Sequence, residues 1–176
     1  SVIKAAEREL AFVRTNKLRM LFYLDEDFPK RLRHCDDAPV LLFVKGKAEL
    51  DPLRSVSIVG TRTPTDHGKR LCEELVEGLA PSGAMIVSGL AYGIDAVAHK
   101  AALEAGGTTI AILANGLHKI YPASNAGLAQ QIVESGGAIV SEHEAGTEAH
   151  KYHFLARNRL VSGIADALIV TEATER

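Results

Sequence analysis

Cysteine is scarce in this sequence: Cys35 and Cys72 stand alone and far apart. Two thiols make neither a disulfide framework nor a zinc site, so they read as inert thiols of a cytosolic protein. No apolar run reaches the roughly 18 residues that a membrane-spanning helix needs. No basic stretch leads into an apolar one at the start, so no secretory signal is visible and the expected compartment is the cytoplasm. An excess of one charge is lacking too. A formal net charge of −2 does not advertise a nucleic-acid partner, although such a sum hides any local basic groove. The signatures GxGxxG, GxxxxGK(S/T) and HExxH are all missing. Their absence argues against a P-loop nucleotide hydrolase, and neither a metal set nor a cofactor is implied.

What the chain does have is length and apolar residues. Its 176 residues, 47% of them apolar, suffice for one substantial core with an appendage and argue against disorder. Val2 to Arg19 reads as a helix with a basic face of Lys4, Arg8, Lys17 and Arg19. Residues 25–39 read as a Pro-punctuated loop with a helical turn at Lys30 to Arg33, and Val40 to Val44 as a short buried strand. Residues 1–52 are therefore expected as an N-terminal extension packed on a main domain at 53–176. In that domain strands are expected at Val56–Gly60, Ala84–Ser88, Thr109–Ala114, Ala138–Ser141 and Ala167–Thr171. Helices are expected between them, at Gly68–Ala80, Asp95–Ala105, Asn125–Ser135 and Phe154–Ile164. The strands are apolar throughout, the pattern of burial on both faces. The expected fold is α/β: an extended Rossmann-like three-layer domain with a mostly parallel sheet, plus a short N-terminal helical extension. Such a sheet ordinarily runs on into a further helix, so the sequence is read as C-terminally incomplete.

Ligands of such sheets sit beyond the C-terminal strand ends. Two junctions there draw the eye: Ser57-Ile58-Val59-Gly60-Thr61-Arg62, and Ser88-Gly89-Leu90-Ala91-Tyr92-Gly93-Ile94-Asp95. Each is a strand, a glycine turn and a helix start, an arrangement that aims unpaired backbone N–H groups at an anion. Arg62 is either a surface ion pair or a bidentate phosphate contact. Asp95 reads as an N-cap carboxylate, and His99 four residues on is within reach of it as an alternative acid–base pair. Asn115-Gly116, Tyr121-Pro122 and Asn125 read as a loop forming a groove wall, with Tyr121 as packing or lining. Near the end, Lys151, Arg157 and Arg159 lie among Tyr152 and Phe154. Cations beside stackable rings suit single-stranded nucleic acid; buried arginines tying helix to sheet are the other reading.

The ordered motifs Ile58-Val59-Gly60-Thr61-Arg62, Ser88-Gly89-Leu90-Ala91-x-Gly93-Ile94-Asp95 with Ala98-His99, Gly116…Tyr121-Pro122…Asn125, Ser141-Glu142 and Phe154-x-x-Arg157-Asn158-Arg159 resemble the bacterial DNA-processing protein A (DprA/Smf) family. The similarity runs from about Asp27-Phe28-Pro29 to the end. It implies a protein that is not an enzyme, binds single-stranded DNA, protects incoming strands and helps load RecA recombinase during natural transformation. It also implies a homodimer in the full-length protein. It carries DNA contacts onto Arg62, Ser88, Gly89, Gly93, Lys151 and Phe154; the residue pattern adds Arg157 and Arg159 as DNA-binding or structural, and no catalytic or metal-ligating residue is expected. Tyr92 departs from the family's usual small, polar or basic residue. The alternative is a phosphoribohydrolase-like enzyme or nucleotide sensor of a related Rossmann-like superfamily, although the signature Pro-Gly-Gly-x-Gly-Thr is absent.

Overall fold

Alternation of strand and helix begins earlier than the sequence suggests. In the computed structural model, which describes residues 2–173, the chain runs α1 (Val2–Thr15), β1 (Arg19–Phe22), α2 (Lys30–Arg33), β2 (Leu41–Gly46), β3 (Ser55–Val59), α3 (Asp66–Leu79) and β4 (Met85–Ser88). It continues through α4 (Ile94–Glu104), β5 (Thr109–Ile112), α5 (Ala126–Glu134), β6 (Ala138–Ser141), α6 (Lys151–Gly163) and β7 (Ala167–Val170). No described helix is long and apolar enough to cross a membrane.

The described strands form one seven-stranded sheet in the order β1-β2-β6-β5-β4-β3-β7. β3 to β7 are mutually parallel, while β2 runs antiparallel to β6 and β1 antiparallel to β2. The fold is thus the expected α/β, Rossmann-like kind with a mostly parallel sheet. The N-terminal segment has its expected helix and its expected strand, here β2, and adds β1; both strands join that same sheet. The expected helix to Arg19 stops at Thr15, because Lys17 turns left-handed (φ 53°) and releases Arg19 into β1.

Helices cover both faces. Central strands β4, β5 and β6 are buried at every position, which explains their unbroken apolar sequence. On one face α6 sets Leu160, Val161 and Ile164 against Val87, Ile112 and Val140, joined by Phe28 and Leu32 from the N-terminal segment. On the other face α3 and α4 set Cys72, Val76, Ala98 and Ala102 against Ile58 and Ile86, with α5 beside them. Alanines on α4 keep that helix close to the sheet and to α3. Arg31 fastens the seam between segment and core. Its guanidinium donates to the Asp166 carboxylate and to the carbonyls of Pro52 and Leu53.

Candidate nucleic-acid interface

From β3 the chain steps across the sheet through β4, β5 and β6 with its helices on one face. α6 then carries it back over the other face to β7, on the far flank of β3. The winding reverses at β3, and a crevice opens beyond the C-terminal ends of the strands, between the turns after β3 and β4 and helix α6. A cleft of about 470 Å³ lies there, lined by Gly60, Arg62, Phe154, Arg157, Val170 and Glu172 among others.

Arg62 is exposed, and its guanidinium carbon stands 5.0 Å from the centroid of the Phe154 ring. Phe154 is half-buried and also leans on Tyr121, ring centroids 5.6 Å apart. Lys151 opens α6, one turn before Phe154, and its ammonium lies 4.9 Å from the Tyr152 ring. The fold therefore brings Arg62 and Phe154 together at the cleft, with Lys151 one helical turn from Phe154.

Other expected contacts are turned inward. Ser88 is fully buried and its hydroxyl donates to the Ile58 carbonyl (2.6 Å), so that side chain has no free face. Arg157 is 4% exposed and donates to the carbonyls of Gly89 and Ile112. It takes the second reading, a buried arginine tying helix to sheet. Burial pulls its pKa down and the Asp95 charge resists, yet a guanidinium stays protonated. Gly89 is buried beneath it: a Cβ there would come within 1.9 Å of Nη1. Gly93 is needed for its backbone, since φ is 76° and a Cβ would meet the Thr61 carbonyl oxygen at 2.3 Å. Arg159, two residues from Arg157 and so on another side of α6, pairs with Glu142 and Asp37.

The expectation of outward-facing amides at the second junction is also corrected. Gly93 and not Asp95 is the N-cap of α4. The Asp95 carboxylate instead accepts the N–H groups of Gly89 (3.2 Å) and Ala91 (3.3 Å). Burial raises its pKa, opposed by the Arg157 charge and those amide bonds. Nor does Asp95 pair with His99, which is fully buried with Nδ1 2.7 Å from the Thr109 hydroxyl. That hydroxyl gives its proton to the Ile86 carbonyl, so Nδ1–H donates to it and the ring is neutral. Burial drives the His99 pKa down to about 3.

One residue was not legible in the sequence. Glu172, just past β7, accepts the Thr65 N–H and hydroxyl, and Thr65 in turn caps α3 by accepting the Gly68 N–H. An acidic residue right after an apolar strand, on the ligand edge, was the available signal. Carboxylates of the chain itself thus take amides of the second glycine turn and of the α3 start. Arg62 is the exposed cation that lines the cleft. Among the described residues, no group of three or more His, Cys, Asp or Glu could hold a metal.

The chain is 42% identical over 153 residues to the DNA processing protein DprA of Streptococcus pneumoniae, covering 87% of this chain and 54% of that one. A solved structure of S. pneumoniae DprA superposes with a TM-score of 0.85 at 39% identity, over 94% of this chain and 59% of that one. A DprA structure from Helicobacter pylori, described by its single-stranded DNA binding mode, superposes with a TM-score of 0.81 at 37% identity, over 91% and 71% of the two chains. The chain spans about half the length of the curated relatives it matches. The family model for DNA recombination-mediator protein A matches residues 19–176, almost the whole of the mixed sheet and its cleft, and the chain belongs to that family.

Proposed function

We propose that the cleft between β3 and β7 binds single-stranded DNA with little regard to base sequence. One observation carries the reading: the Arg62 guanidinium lies over the Phe154 ring at an open crevice, so cation and stackable ring meet at one point. A phosphodiester held by Arg62 leaves its base within reach of the ring. Lys151 over Tyr152 repeats the pairing one turn away. The H. pylori relative, described as binding single-stranded DNA, supports the same reading. Gly89, Gly93, Ser88 and Arg157 serve it by shape, holding the turn beneath the cleft, and Arg159 by fixing α6.

On this reading the protein is a binding protein and not an enzyme. Its cellular roles follow the family resemblance: protecting incoming strands, loading RecA recombinase in natural transformation, and working in the cytoplasm as a homodimer when full-length. A gel-shift comparison of single- and double-stranded oligonucleotides, with a nucleotide-hydrolysis control, tests the core of it. Single strands should bind preferentially, and log affinity should fall by roughly 0.7 per log unit of salt for each phosphate neutralised. Tight, salt-insensitive binding of a mononucleotide, or its hydrolysis, would favour the enzyme or sensor instead.

A further inference from the structure

The chain has four tyrosines, five phenylalanines and no tryptophan. Beyond Phe43 only Tyr92, Tyr121, Tyr152 and Phe154 remain. The core clusters on the face of α3, α4 and α5 contain no ring at all. The three tyrosines are instead 50%, 43% and 62% exposed. They follow the C-terminal ends of β4, β5 and β6, three adjacent strands of the sheet. Tyr92 lies in the turn after β4, Tyr121 in the loop between β5 and α5, and Tyr152 in the first turn of α6, which follows β6.

Three of these rings are also tied together. The Asn125 amide donates to the carbonyls of Leu90 (2.9 Å) and Ala91 (3.3 Å), which binds the Tyr121 loop to the turn carrying Tyr92. Tyr121 touches Phe154, whereas Tyr152, two residues before Phe154 on α6, projects from another side of that helix and lies against His150. Exposing an aromatic body forgoes burial that a ring would otherwise contribute to folding. Here all three tyrosines outside the N-terminal segment forgo much of it.

We infer that Tyr92, Tyr121 and Tyr152 are base-stacking residues, a track that carries a single-stranded polynucleotide from the Arg62–Phe154 cleft across the ends of β4, β5 and β6. The inference rests on the proposed single-strand reading and adds its path. Each ring offers a π-face to any base, so the track adds affinity without sequence preference. It adds no charge, so it adds nothing to the salt dependence.

The test compares an oligothymidylate with an abasic strand of equal length and charge. Tyr92→Ala, Tyr121→Leu and Tyr152→Ala should each weaken oligothymidylate binding, by about 5- to 150-fold at the usual strength of base stacking. Binding of the abasic strand and the salt slope should stay at the wild-type level, and Tyr→Phe should restore affinity. Because the chain lacks tryptophan, quenching of its tyrosine emission reports stacking directly. Thermal melts of Tyr121→Leu separate lost stacking from lost packing on Phe154. Unchanged oligothymidylate affinity in all three variants, or equal losses on both strands, overturns the track and leaves the cleft reading standing. Failure of the wild-type protein to bind either strand overturns both.

Discussion

At the end of β3 the chain turns through Gly60, Thr61 and Arg62 into α3. At the end of β4 it turns through Gly89, Leu90 and Gly93 into α4. The first turn keeps a guanidinium in solvent and closes its helix start with Thr65 and Glu172. The second is sealed: Leu90 is fully buried, Asp95 takes two of its amides, Asn125 takes two of its carbonyls, and Arg157 fills the space over Gly89. The Ile94 N–H donates to the Thr61 carbonyl (3.2 Å) and locks one turn to the other. Glycine turns of similar sequence therefore divide the labour. The second is the frame, and on the proposed reading the first holds the contact, because only the first presents an exposed guanidinium beside an aromatic ring.

Substitutions at the frame should cost folding, and those at the contact should cost binding. Arg157→Ala strands two buried carbonyls and leaves Asp95 without its cationic neighbour. Denaturant unfolding should show a loss of about 3–5 kcal/mol. A loss under about 1 kcal/mol would mean that the second turn is not held as described.

The frame should also carry a pH signature through His99 on α4. Its folded pKa is about 3 against 6.5 for an ordinary histidine, so below 6.5 the unfolded chain takes up the proton first. That contribution is complete above pH 6.5 and is lost as pH falls toward 3, with a slope of at most about 1.4 kcal/mol per pH unit. The difference between wild type and His99→Gln in chemical denaturation across that window isolates it. Parallel stability curves would sink the claim.

At the contact, Arg62→Ala should leave stability within about 0.5 kcal/mol, since the side chain is exposed. Single-strand affinity should fall by about 1–3 kcal/mol and the salt slope by about 0.7, the same for every base sequence. An unchanged affinity in a folded variant removes Arg62 from the interface. Smallest is Thr65→Ala, which takes the cap from α3 and should lower the melting stability by about 1 kcal/mol.

Most of the sheet could be read from unbroken apolar runs, because strands buried on both faces leave that mark. β1 could not. Arg19-Met20-Leu21-Phe22 buries only Leu21, and it abuts a helical pattern that a left-handed lysine ends where glycine is the usual signal. Arg62, Lys151 and Phe154 could be singled out because exposed charge and aromatic residues beside strand ends are a local pattern. Arg157 could be singled out but its partners could not, since Gly89 and Ile112 come from separate parts of the chain. Asp95 looked like a cap for the same reason. Local spacing shows a carboxylate at a helix start, whereas the amides it accepts precede that start.

Pairing of β2 with β6 has a practical corollary. A polypeptide trimmed to begin near residue 53 would keep every strand of the parallel set and uncover the long flank of β6, whose four residues are all shielded in the intact molecule. A bare apolar flank recruits any strand it meets, including its own copies. The leading fifty-odd residues therefore act as the hem that keeps this fabric from fraying into its neighbours.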